Sequence, residues 1–287
     1  MLSNKKKSGK TNFIFVKTAF TLLLAFPFCF PSLAQKQDTK IVLIATNLGN
    51  IKVLLYNQTP KHRDNFYKLA SEGFYDSTLF HRVINGFMIQ GGDPGSKQAK
   101  PGQMLGNGDI GYKIPAEIND GLFHKKGALA AARDNNPDKS SSGCQFYIVH
   151  GIVLTDSALT VMENRQNIEN KQKLFQEFIN RPENNGLKAK FISCQQTGKM
   201  DSLQILSKQI EPVIENEWAK TPPFKFTDKQ RKAYTSIGGT PFLDGNYTVF
   251  GEVIEGLDVV DKIAAVQKNA QDRPLEDVRM KMSIVKK

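Results

Sequence analysis

Between Phe80 and Asp93 the chain reads FHRVINGFMIQGGD, and no other run constrains its fold as tightly. Arg82 and Gln90 lie eight positions apart, Phe87 and Met88 stand between them, and the paired glycines Gly91 and Gly92 end the run. Alternate residues of a strand share a face, so a regular strand would point Arg82, Ile84 and Gly86 the same way. Arginine is seldom buried unless something pairs with it. A guanidinium set among large apolar side chains describes a site that grips a partly apolar ligand by an oxygen.

The first thirty-four residues read as a targeting segment. Lys5, Lys6, Lys7 and Lys10 precede an apolar stretch broken only by Lys17, thirteen uncharged residues run from Thr18 to Phe30, and Ser32-Leu33-Ala34 follows. A basic start, a short apolar centre and a small-x-small end form a secretory signal peptide. Thirteen residues fall short of the roughly 20 that span a bilayer, so a retained membrane anchor is the weaker reading. Cleavage after Ala34 would leave 287 − 34 = 253 residues. It would also remove five lysines and no acid, taking the net charge from +11 to +6. Export to the periplasm is the expected destination. The remaining length suits one large domain or one domain with a substantial insertion.

Several function classes are disfavoured. There is no arginine-rich tract or basic patch interleaved with aromatics to suggest nucleic acid. His62, His81, His124 and His150 lack metal-ligand spacing and HExxH is absent, so no metal or cofactor is expected. Gly91-Gly92 and Gly106-Asn107-Gly108 could suggest a phosphate cradle, but no Gly-Lys-Ser/Thr pair accompanies them, and turn glycines are the better reading. Cys144 and Cys194 remain after the leader; an oxidising compartment would permit a disulfide, and the sequence leaves their pairing open.

Local signals place the elements. Lys40–Thr46 and Ile51–Tyr56 flank Asn47-Leu48-Gly49-Asn50 as a hairpin. Thr59-Pro60 opens a helix of about three turns that stops at Gly73. Gly127–Arg133 is a small-residue run, Cys144–Val149 a short strand, and Asp258–Ala264 a second amphipathic helix. Met280, Met282 and Ile284 alternate as a closing strand.

The 80–93 run resembles the signature of the cyclophilin peptidyl-prolyl isomerases, and further similar segments follow in order. Cys144-Gln145-Phe146-Tyr147 resembles the family's Ser-Gln-Phe-Phe strand, and Pro241–Gly251 resembles its Trp-Leu-Asp-Gly block. The resemblance implies a mainly β fold, a closed eight-stranded antiparallel barrel capped by two helices. It covers two stretches, 35–154 and 237–287, separated by residues 155–236. Structureless loops of that length do not occur inside compact domains. Ile168, Phe175, Phe178 and Ile179, and again Leu206, Ile210, Val213 and Ile214, recur at helical spacing, so an insertion of two or three helices is expected.

The resemblance also implies a site. Arg82 and Gln90 take the catalytic positions. Phe87, Met88, Tyr147, Leu243 and Tyr247 seat a proline ring, with Gln145, Phe146 and Phe242 completing the substrate-binding set, and Ala132 and Arg133 offer backbone groups to the residue before proline. Tyr147 stands in place of a phenylalanine and brings a hydroxyl that needs a partner. Phe242 replaces the tryptophan linked to cyclosporin binding, so weak affinity for that drug with retained activity is expected. Cys144 replaces a serine and reads as a packing residue. The expected partners are proline-containing polypeptides, unfolded or partly folded, on their way out of the cell. The alternative is a proline-peptide-binding chaperone or scaffold that uses the helical insertion for its partners.

Overall fold

The computed structural model describes residues 9 and 39–286. The signal-peptide segment and its cleavage point lie outside the described residues, apart from Gly9. Among the described residues ten strands form, eight of them in one antiparallel sheet. In chain order these are β1 (Ile41–Thr46), β2 (Gly49–Leu55), β3 (Phe80–Ile84), β4 (Met88–Gly91), β5 (Lys113–Ile114), β6 (Ala128–Ala131), β7 (Ser141–Ser142), β8 (Phe146–Val149), β9 (Val249–Glu255) and β10 (Met280–Ile284). The large sheet runs β10-β1-β2-β9-β6-β8-β4-β3, while β5 and β7 pair separately.

The sheet is an open, curled half-barrel, not the closed barrel expected from the resemblance. Its outer strands β3 and β10 form no ladder; one isolated bridge joins Leu79 to Arg279. Past that bridge the loop at 265–279 covers the β3 edge, with Phe80 N–H donating to Val278 O at 2.9 Å and Val83 N–H to Asp272 O at 2.8 Å. An edge covered by a loop is protected from foreign pairing much as closure would protect it.

Side chains from all eight strands meet within the curl, among them Val42, Ile51, Val83, Ile89, Leu129, Phe146, Phe250 and Met282. Two helices close this core, as expected: α1 (Pro60–Ser71) through Phe66, Leu69 and Ala70, and the helix Leu257–Ala264 through Val259, Val260 and Ile263. Thr59 precedes α1 but makes no side-chain cap. Glu117 performs that task from a loop, its carboxylate accepting from Lys61 N–H at 3.0 Å and His62 N–H at 2.9 Å. A carboxylate at a helix N-terminus answers both the unpaired amides and the helix dipole.

Between β8 and β9 the chain forms α2 (Asp156–Ile179), α3 (Asn185–Gln196), α4 (Met200–Trp218) and α5 (Asp228–Ser236). That is one helix more than the upper expectation. The periodicity of α5 was too short to stand out, yet Thr227 and Gln230 give it a complete capping box. Ile179, Phe191, Ile210 and Ile214 form a core among α2, α3 and α4. A second cluster joins Leu159, Phe226 and Tyr234 to Phe123, which precedes β6, and so seats the helical segment on the sheet.

Candidate active site

The register of the sheet builds the site. Arg82 on β3 faces Gln90 on β4, Gln90 faces Tyr147 on β8, and Tyr147 faces Ala130 on β6. The neighbouring row runs Ile84, Met88, Val149. These side chains lie on the face opposite the enclosed core, where Met88, Tyr147, Val149 and Leu243 cluster with Phe87, Ala132 and Tyr247 packed against them. Phe146 is excluded by the same geometry. Successive strand residues point to opposite faces, so Phe146 enters the core, edge-on to Phe66 and Tyr75 and 1% exposed. It supports the wall from behind and offers no surface to a ligand.

A chain of amides fixes the half-buried Arg82. Gln145 Nε2 donates to Gly106 O at 2.8 Å and Gly108 O at 2.7 Å, so its Oε1 must accept, and it does so from Gln90 Nε2 at 3.0 Å. That turns Gln90 Oε1 toward Arg82 Nη1 at 3.4 Å. The glycine-rich loop therefore acts as the fixed end of a relay. Asp93 shapes it by accepting from Gly95 and Gly106 N–H, and a Cβ at Gly108 would lie 2.0 Å from that carboxylate. Gln145 is 7% exposed with both ends of its amide engaged, so it positions Gln90 more than it meets a ligand.

The apolar seat has a defined rim. Phe87 and Phe242 lie 5.6 Å apart at their ring centres, and Phe242 is 60% exposed. Tyr247 stands edge-on to Tyr147 at 5.9 Å, and the Arg133 guanidinium covers the Tyr247 ring at 4.7 Å. Arg133 Nε also donates to Asn246 O at 2.9 Å, tying the loop after β6 to the turn before β9. Ala132 differs from expectation. Its N–H donates to Gln145 O at 3.0 Å and its carbonyl accepts from Ser142 N–H at 2.8 Å, so the Ala132 backbone is already paired.

Beneath the seat runs a polar network that the sequence did not reveal. The Tyr147 hydroxyl meets His124 Nε2 at 3.0 Å. His124 Nδ1 meets Asp244 Oδ1 at 2.8 Å, and that oxygen also accepts from His124 N–H at 2.9 Å. A carboxylate at Nδ1 makes that nitrogen the donor, leaving Nε2 to accept from Tyr147. Asp244 Oδ2 accepts from Tyr234 Oη at 2.5 Å and Gln230 Nε2 at 3.4 Å, both on α5. Burial first, and then the neighbouring Tyr247 and Asp244, hold the Tyr147 phenol well above its ordinary pKa, so it stays a neutral donor. The one legible signal was the hydroxyl of Tyr147, which had to find a partner.

Two other sets of residues have chemical appeal but form no site. His62 joins Glu117 (2.7 Å) and Ser141 (3.0 Å), but His62, on the inward face of α1, and Ser141 are both buried. Cys144 and Cys194 are not bonded to each other; burial pushes the Cys144 thiol up to about 11, which leaves it unreactive at neutral pH.

The model of the cyclophilin-type peptidyl-prolyl cis-trans isomerase family matches residues 41–173 and 226–285. A Staphylococcus aureus protein named as a candidate peptidyl-prolyl cis-trans isomerase is 30% identical over 245 residues, covering 85% of this chain and 90% of its own. A similarly named Staphylococcus saprophyticus protein is 29% identical over 238 residues, covering 83% and 87%. A Streptococcus pyogenes protein named as a candidate bifunctional phosphatase and isomerase is 32% identical over 254 residues, 87% of this chain, yet the match spans only 39% of its length. The crystal structure of a Cryptosporidium parvum cyclophilin-type isomerase shares the fold at a TM-score of 0.51 and 20% identity, over 87% of this chain and 99% of that one.

Proposed function

The chain belongs to the cyclophilin-type peptidyl-prolyl cis-trans isomerase family, and from that premise we propose that it isomerises X–Pro bonds in exported polypeptides, with Arg82 stabilising the twisted amide. The observation that carries this reading is the relay from Gly106 and Gly108 through Gln145 and Gln90, which aims the guanidinium beside an apolar seat.

The chemistry requires little else. The amide barrier of about 18–20 kcal/mol arises from conjugation of nitrogen's lone pair with the carbonyl, and uncatalysed exchange takes about 10–100 s. Both isomers are populated because the trans preference before proline is only about 0.5–1 kcal/mol. At the twisted transition state the lone pair returns to nitrogen. A site that binds the twisted form better than either planar form accelerates the exchange. The planar fork of Arg82 can hold the carbonyl oxygen and present an N–H to the nitrogen as its lone pair localises. Phe87, Met88, Leu243 and Tyr247 would clamp the proline ring while the preceding carbonyl turns.

Export rests on the lysine-rich apolar leader, with residues 35–154 and 237–287 working as one unit and 155–236 as its insertion. Two measurements test the proposal. N-terminal sequencing of the protein from a periplasmic fraction should begin at Gln35. In refolding of a client limited by proline isomerisation, wild type should accelerate the slow phase and Arg82→Ala should not; equal rates would favour a holdase chaperone working through its helices.

A further inference from the structure

Phe242 has two neighbourhoods. Its ring packs on Phe87 in the proline seat, and it also lines a cleft of about 1080 Å³ between the turn at 241–246 and helix α2. This is about three times the volume of the polar cavity beside Arg82, about 340 Å³. Phe242 and Asn246 line it from the turn, Met162, Gln166 and Asn170 from α2, and Phe224 from the segment before α5.

The cleft is built in advance. Asn167 holds the Phe224 backbone from both sides, donating to Phe224 O at 3.1 Å and accepting from Phe224 N–H at 2.7 Å. Glu163, 6% exposed, accepts from Phe226 N–H at 2.7 Å and from Arg231 Nη2 at 2.7 Å. The segment before α5 is thereby fixed along α2, so a ligand would meet a wall whose ordering has already occurred. On the rim Arg165 and Glu169 pair with each other at 2.9 Å, so the cleft lacks the single-sign field expected for nucleic acid.

We propose that this cleft holds the extended polypeptide flank of a proline-containing client, an inference that rests on the isomerase reading of the adjoining seat. A client whose X–Pro bond is still exchanging is unfolded on both sides of that bond. Its flank offers unpaired backbone N–H and C=O groups and side chains on alternating sides. Gln166 Nε2 donates to Asn170 Oδ1 at 3.0 Å, which leaves the Gln166 carbonyl to accept and the Asn170 amide N–H groups to donate to a backbone, and Met162 can adapt to side chains of different shape. The helical segment thus converts a one-residue pocket into a tract that reads chain length and apolar content beside the proline.

The test uses the full mature chain and labelled peptides read by fluorescence anisotropy, with turnover of the short peptide followed in parallel. One peptide carries only Xaa-Pro and its neighbours. Others add a flank of about eight residues containing apolar side chains, roughly 27 Å when extended, on one side or the other. Wild type should bind one of the extended peptides at least tenfold tighter than the short one, about 1.4 kcal/mol. Gln166→Trp, at an exposed helix position, should fill the cleft and erase that gain while short-peptide turnover stays within about twofold. Equal affinity for all peptides, or a gain that survives Gln166→Trp, overturns the proposal. Failure of wild type to turn over the short peptide would instead sink the isomerase reading, and the anisotropy series would still decide the cleft.

Discussion

Replacing Asp244 by asparagine separates the network under the seat from the packing around it. In wild type each carboxylate oxygen accepts twice, Oδ1 from His124 and Oδ2 from α5. Asparagine keeps one acceptor. With its oxygen toward His124, its Nδ2 would face the Tyr234 hydroxyl and the Gln230 amide, both donors in the native arrangement. Tyr234 is 0% exposed, so water cannot take the carboxylate's place. Hydrogen bonds to a charged group contribute about 1.5–3 kcal/mol each and neutral ones about 0.5–1.5. Allowing the Tyr234 hydroxyl to rotate and accept, the net loss should be about 2–3 kcal/mol. For a chain of this size that lowers Tm by about 4–12 °C, measurable by circular dichroism. A double-mutant cycle with Tyr234→Phe should give a coupling of about 1–2 kcal/mol. Because Leu243 precedes Asp244, KM for a short Xaa-Pro peptide should rise with kcat retained. A Tm within 1–2 °C of wild type by the same scale, or strict additivity in the cycle, would refute this account of the network.

Three further outcomes follow from the same geometry. Burial pushes the His81 imidazole down to about 4 from 6.5; the unfolded chain then binds the extra proton between those values, so His81 costs stability as pH falls from 6.5 toward 4, by about 3 kcal/mol in all. Urea titrations at pH 7 and pH 4.5 should show that loss, and His81→Leu should flatten it; an unchanged slope would remove His81 from the account. Gln145→Leu should lower kcat/KM about tenfold, or about 1.4 kcal/mol, with the fold kept, since it unlinks Gln90 from the loop; wild-type turnover would show that the relay does not position Arg82. Phe242→Trp should raise cyclosporin affinity, read by calorimetry, with short-peptide turnover within about twofold, and unchanged affinity would contradict the role given to that position.

The parts of the molecule that alternate along a strand were legible in the sequence. Alternation along β8 separates Tyr147 from Phe146, but Arg82 and Gln90 share a face for another reason: the run read as one strand is a hairpin, and β3 and β4 pair across the turn at 85–87 with Arg82 opposite Gln90. What could not be read depends on where distant loops come to rest. Closure of the sheet failed because residues 265–279, not β10, lie along the β3 edge. The cap of α1 came from Glu117 instead of Thr59. His124 and Asp244 are 120 residues apart in the chain, and no local pattern joins them. The backbone of Ala132 looked available until Gln145 and Ser142 were found to occupy it. In each case the residue type was informative and the partner was not, since partners across a fold are set by packing of the whole chain.

The most direct test of the central claim is kcat/KM on a short Xaa-Pro peptide for wild type, Arg82→Ala and Arg82→Lys. Loss of one preorganised donor typically costs about 10²–10³ in rate, and lysine lacks the planar fork. Both variants should therefore fall by about that factor, with their melting curves close to wild type. A wild-type rate from Arg82→Ala would contradict the account, because it would place the catalysis somewhere other than the guanidinium.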